Sequence, residues 1–262
     1  MLKQFKIVAA SLLGIFATAG VAQAQTPEPK PTIVLVHGAF AESSSWNGVI
    51  SKLEVDGYKV VAAANPLRSV EGDAKYVAAL VYNIKGPVVL VGHSYGGAVI
   101  TNAALGMRNV KALVYVAAFL PDVGDTAVGL SNKFPGSTLG PTLAPPVKLA
   151  DGGLDLYIDQ DKFHAQFAAD VPQDEARVMA ATQRPIAQAA LGEPSGEPAW
   201  KQIPSWSIYG SEDHNIPAAS HAFMAARAKA RRVIEVKGAS HVVMVSHPDA
   251  VAKLIEEAAT AK

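Results

Sequence analysis

The chain contains no cysteine. Disulfides, a thiol nucleophile and thiolate metal sites are therefore excluded, and the fold must be held by its core alone. It also lacks an excess of either charge, with 23 basic and 23 acidic residues. A balanced chain offers no electrostatic footprint for nucleic acid or an anionic membrane surface. The histidines show no tight metal spacing such as H-E-x-x-H, so no metal is expected. No internal repeat is present. The one long apolar stretch, Ile7 to Gly20, is short for a membrane-spanning helix, which needs about 20 residues.

That stretch follows Lys3 and Lys6 and precedes Ala22-Gln23-Ala24. A positive start, an apolar middle and a small-x-small end read as a signal peptide over 1–24. Residues 25–31, rich in proline, read as a linker. The expected product is periplasmic or secreted, with no stable membrane insertion after cleavage. Removing Lys3 and Lys6 from the 23 basic residues leaves 21 against 23 acidic ones, a net charge of about −2.

From residue 32 onward, short apolar runs alternate with helix-like segments. This predicts an α/β fold with a mainly parallel sheet and helices on both faces. Strands are expected at Thr32–Val36, Tyr58–Ala62, Pro87–Val91, Val110–Ala117, Ile203–Tyr209 and Arg232–Val236. Val77, Leu80, Val81 and Ile84 mark one helix by their spacing. Others are expected at Tyr95–Leu105, Pro217–Ala230 and Pro248–Ala259. A stretch at about 121–198 breaks the alternation. It is rich in Pro and Gly, shows no clear strand, and carries two helical segments, Asp159–Ala169 and Pro172–Thr182. An insertion of this kind reads as a helical cap.

The chemistry centres on Gly92-His93-Ser94-Tyr95-Gly96, set between an apolar strand and a helix. This is the context of a nucleophile elbow, where a sharp turn needs small residues two before and two after the serine. A serine hydroxyl needs a base, and the base needs an acid to orient it. The order Ser, acid, His points to Asp213 in "YGSEDHNIP" and His241 in "VKGASHVVMVSHP". Both fall on loops at carboxyl ends of strands, where open α/β sheets place their sites. Glu212, Asp122 and Asp125 are alternative acids, and His247 is an alternative base. His164, His214 and His221 read as surface or cap residues, and His93 as packing beside the nucleophile. Two backbone N–H groups should stabilise an oxyanion, one from Tyr95 and one from the "HGAF" loop, Ala39 or else Phe40.

"HGAF", "GHSYGG", "GSEDHNIP" and "GASHVVMVSHP" together resemble the α/β-hydrolase superfamily over Thr32 to Ala259. Within it the chain looks like small bacterial members related to plant-type methyl esterases and hydroxynitrile lyases. The resemblance implies an α/β-hydrolase fold, a Ser94–His241–Asp213 triad and no cofactor. The expected activity is hydrolysis of a small apolar carboxylic ester through an acyl-enzyme, with Phe40, Phe163, Phe167 and Met179 lining the pocket. A hydroxynitrile lyase, a cofactor-free perhydrolase or a non-catalytic ligand receptor could use the same scaffold. Plant-type lyases place a Lys directly after the catalytic His, where this chain has Val242.

Overall fold

The computed structural model describes residues 1–2 and 29–262. The expected signal peptide, apart from its first two residues, and most of the linker lie outside the described residues. Among the described residues no helix is long and apolar enough to cross a membrane.

Six parallel strands form the central sheet: β1 (Thr32–Val36), β2 (Val60–Ala63), β3 (Val88–His93), β4 (Val110–Val116), β8 (Ser205–Gly210) and β9 (Arg232–Val236). Their order is β2-β1-β3-β4-β8-β9. The central strands are mainly apolar because both of their faces are covered, and β1, β3 and β8 are buried at every position. Edge strand β9 alternates instead and is partly exposed.

Helices α1 (Asn47–Val55) and α10 (Pro248–Thr260) pack together on the sheet, as do α2 (Val70–Tyr82) and α3 (Tyr95–Ala103). Helix α10 buries Val251, Leu254, Ile255 and Ala258, the periodic face of an amphipathic helix. Helix α2 starts where the Ser69 hydroxyl accepts from the Gly72 N–H at 3.0 Å. Helix α1 had no expectation behind it, because Gly48 and branched residues blur its periodicity.

Between β4 and β8 lie α4 (Ala127–Ser131), α5 (Gln160–Phe167), α6 (Gln173–Thr182) and α7 (Gln188–Gly192). The two longer helices coincide with the expected segments, but the absence of strands is corrected. An antiparallel sheet of three strands, β5 (Val147–Lys148), β6 (Leu154–Leu156) and β7 (Ile186–Ala187), runs through this region. Strands of two or three residues leave no alternation long enough to read. The chain closes with α8 (Ala218–Arg227) and α9 (Val243–Ser246) before α10.

The strand order reverses between β1 and β3, since β2 lies beyond β1 and β4 beyond β3. Their carboxyl ends open a crevice at this switch point, the place where open α/β sheets bind ligands.

Candidate active site

Strand β3 delivers its chain into that crevice at Ser94, whose backbone sits at φ +53° and ψ −124°. A non-glycine residue at positive φ is strained and must be held by its surroundings. Here the Ser94 carbonyl accepts from the N–H groups of Gly97 and Phe119 at 2.9 and 3.1 Å. The flanking glycines are required by contact. A Cβ on Gly92 would stand 2.6 Å from the Gly96 carbonyl oxygen, and one on Gly96 would stand 2.5 Å from that of Val36. Ser94 occupies the cap position of α3, yet its hydroxyl makes no capping bond. It meets His241 Nε2 at 2.8 Å instead.

His241 lies between β9 and α9, and its Nδ1 meets Asp213 Oδ2 at 2.7 Å. Asp213 follows β8 and is buried. Its Oδ1 accepts from the Asn215 and Ile216 N–H groups at 2.8 and 2.9 Å. Burial alone would raise its pKa, but His241 and His221 outweigh that and hold the carboxyl well below the usual range. An ionised carboxylate only accepts, so the His241 proton sits on Nδ1 and leaves Nε2 to accept from Ser94. His93 packs against the His241 ring at 4.9 Å and donates from Nε2 to its carbonyl at 3.1 Å. Burial, reinforced by His241, pushes the His93 pKa well below normal. The segment before β8 also reaches this loop, through Gln166 Nε2 to Asn215 Oδ1 at 2.6 Å.

The alternative residues are engaged elsewhere. Asp122 pairs with Lys201 at 2.8 Å and Asp125 with Arg227 at 2.7 Å. Glu212 is exposed. His247 sits at the start of α10 and faces Asp170 at 3.6 Å. His164 and His214 are half-buried. His221 is a correction: read as a surface or cap residue, it is 1% exposed and meets Asp213 Oδ2 at 3.0 Å. Its spacing of eight residues from Asp213 spans a loop and a helix start, so no helical or strand period exposed it.

The loop after β1 closes against the elbow. A Cβ on Gly38 would stand 2.6 Å from Ser94 Cβ and 3.1 Å from the Tyr95 nitrogen. The Phe40 N–H donates to the Arg184 carbonyl at 3.0 Å, which commits it. The Ala39 and Tyr95 N–H groups have no protein acceptor among the described residues, and both residues line the cavity with Ser94 and His241.

That cavity has a volume of about 540 Å³. Phe40, Phe119, Leu139, Leu156, Phe167 and Leu191 give it an apolar wall, and among the described residues no Asp, Glu, Lys or Arg lines it. Phe167 also sets its ring against His241, with centroids 5.0 Å apart. Two of the four expected lining residues are corrected. Phe163 is fully buried behind Phe167, at 4.9 Å between centroids. Met179 borders a separate groove with Glu42 and Val178. Both lie on helices whose rotation about their axes is set by packing. Among the described residues no three His, Asp or Glu side chains are grouped to hold a metal ion.

The chain is similar to several known proteins. The chain is 27% identical to an alpha-hydroxynitrile lyase of Arabidopsis thaliana over 243 residues, 84% of this chain and 94% of the relative. It is 25% identical to methylesterase 2 of the same plant over 246 residues, 84% of this chain and 92% of the relative. The crystal structure of polyneuridine aldehyde esterase superposes with a TM-score of 0.76 at 19% identity, covering 87% of this chain and 99% of that one. The sequence model of the alpha/beta hydrolase family matches residues 33–254. With that match over a six-stranded parallel sheet, the chain belongs to the alpha/beta hydrolase family.

Proposed function

We propose that the protein is a serine hydrolase that cleaves a small, uncharged, apolar carboxylic ester. The observation that carries this reading is the hydrogen-bonded chain from Ser94 Oγ through His241 to Asp213 Oδ2, at 2.8 and 2.7 Å, opening on an apolar cavity. His241 Nε2 takes the Ser94 proton as Oγ attacks the ester carbonyl. Asp213 stabilises the imidazolium through Nδ1–H. The Ala39 and Tyr95 N–H groups receive the oxyanion. Collapse breaks the ester C–O bond, His241 protonates the leaving alkoxide, and Ser94 is left acylated. His241 then activates water, and hydrolysis returns the free hydroxyl. Segment 121–198 acts as the cap that walls the pocket, and residues 1–24 direct export and are cleaved.

Hydroxynitrile cleavage is the second reading, favoured by the lyase relative. It releases cyanide, an anion that gains from a nearby cation. Among the described residues no Lys or Arg lines the cavity, and buried Val242 follows His241. These features favour ester hydrolysis. A panel of chromogenic esters, a fluorophosphonate probe and mandelonitrile distinguish the two. Ester turnover and labelling at Ser94, both lost in Ser94→Ala, are expected, with cyanide release at the spontaneous rate. Enzyme-dependent cyanide release without ester turnover would overturn the assignment. Export is checked by the N-terminus of the secreted or periplasmic form, expected at Gln25.

A further inference from the structure

Asp213 carries one donor more than its turn and His241 supply. Oδ1 is occupied by two backbone N–H groups, and Oδ2 accepts from His241 at 2.7 Å and from His221 Nε2 at 3.0 Å. His221 projects from the first turn of α8. Its ring lies flat on Tyr209, with centroids 4.7 Å apart and planes at 12°. Its Nδ1 is buried and has no hydrogen-bond partner among the described residues.

These contacts define the ring's state. A carboxylate cannot donate, so the bond requires a proton on His221 Nε2. A second proton on Nδ1 would be a buried donor with nothing to accept it, which is costly. His221 is therefore a neutral donor.

We infer that His221 is a positioning residue for the Ser94–His241–Asp213 chain, an uncharged second donor that pins Asp213 Oδ2 and sets the pH range in which His241 works. The inference rests on the serine-hydrolase reading above. A donor on the far side of Oδ2 holds the carboxylate's rotamer toward His241. It also draws negative charge from the oxygen that faces the His241 N–H. Without it, Asp213 would stabilise the His241 imidazolium more strongly, and the base would stay protonated to higher pH.

The surroundings leave this bond in control. His241 is faced by Asp213, Ser94 and His93, and burial keeps His93 neutral. His221 is faced by Asp213 and by the ring of Tyr209, whose pKa burial raises. Asp213 is thus the ionised group in direct contact with both rings.

The test compares wild type with His221→Phe, which keeps the ring stacked on Tyr209 without a donor, and His221→Gln, which keeps an N–H donor that does not titrate. The acid limb of kcat/KM in His221→Phe should move up by about 0.5–1 pH unit, the scale of one hydrogen bond to a carboxylate. At pH 6 that is a loss of about 3–10-fold, while at pH 9 the rate should stay within about twofold of wild type. His221→Gln should restore the wild-type limb. A uniform rate loss at every pH with an unmoved limb would mean a structural role only and overturn the inference. If His221→Phe does not fold, imidazole ¹⁵N spectra of the wild type at pH 7.5 decide: a neutral Nε2–H tautomer at His221 supports the inference, and an imidazolium overturns it. A wild type with neither ester turnover nor fluorophosphonate labelling overturns both this inference and the serine-hydrolase reading.

Discussion

The Tyr95 hydroxyl donates to the Asp73 carboxylate at 3.0 Å, tying the residue after the nucleophile to helix α2. Asp73 is buried, and its oxygens also accept from the Arg68 N–H at 3.1 and 3.2 Å. Burial raises its pKa, so each donor matters. Tyr95→Phe removes one donor and should cost about 1–3 kcal/mol of stability. Because the Tyr95 N–H is a proposed oxyanion donor, kcat should also fall, by about tenfold, with KM little changed. Urea unfolding and steady-state kinetics check both. Unchanged stability would show that the hydroxyl does not support Asp73.

Gly38 carries a different expectation, for activity more than for folding. Its missing Cβ lets the Ala39 loop lie against Ser94 and the Tyr95 nitrogen. Gly38→Ala forces that loop away and misplaces one oxyanion donor. The expected loss in kcat is about 10²–10³-fold. The circular dichroism spectrum should stay native. A variant with full activity would remove this loop from the oxyanion site.

Acid should destabilise the fold through buried histidine as well as through carboxylates. His37 Nδ1–H donates to the Gly38 carbonyl at 2.9 Å, and its Nε2 accepts from the Asn65 N–H at 3.1 Å. Burial pulls its pKa from 6.5 down to about 4. As pH falls through that window the unfolded chain takes up a proton that the folded chain refuses. Stability therefore falls from about pH 6.5 to about 4, by at most about 3 kcal/mol from this residue. His93 acts in the same direction. The lowered pKa of Asp213 adds stability above its unfolded value of 3.8 that is lost only below it, so Asp213 offers no compensation in this window. Urea midpoints at pH 7.5 and 4.5 should differ less in His37→Gln than in wild type. Equal differences would exclude His37 as a contributor.

The cavity wall should discriminate by charge. With no Lys or Arg lining it among the described residues, an ester bearing a free carboxylate must bury an unpaired charge, at a cost of several kcal/mol. A matched pair of p-nitrophenyl esters, neutral and ω-carboxylated, should differ by about 10²-fold or more in kcat/KM. Near-equal rates would mean that the acid end stays in solvent, outside the cavity.

Much of this site could be read from contiguous residues. The elbow needs only Gly92 to Gly96 between an apolar run and a helix, because its sterics are local. Asp213 and His241 lie on the loops after β8 and β9, at ends that apolar strands mark in sequence. Their meeting was inferred from chain order alone, since 147 residues separate Ser94 from His241.

The sequence by itself determined the six strands of the central sheet, the turn that carries Ser94 and the order of its partners, since each depends on neighbours a few positions away. Tertiary structure alone decided which helical side chains face the crevice. Phe167 reaches it while Phe163, four residues earlier on the same helix, turns into the core. Met179 faces another groove, and His221 turns inward to Asp213. A helix pattern states that one face is buried, but what that face meets is set by the packing of elements far apart in the chain.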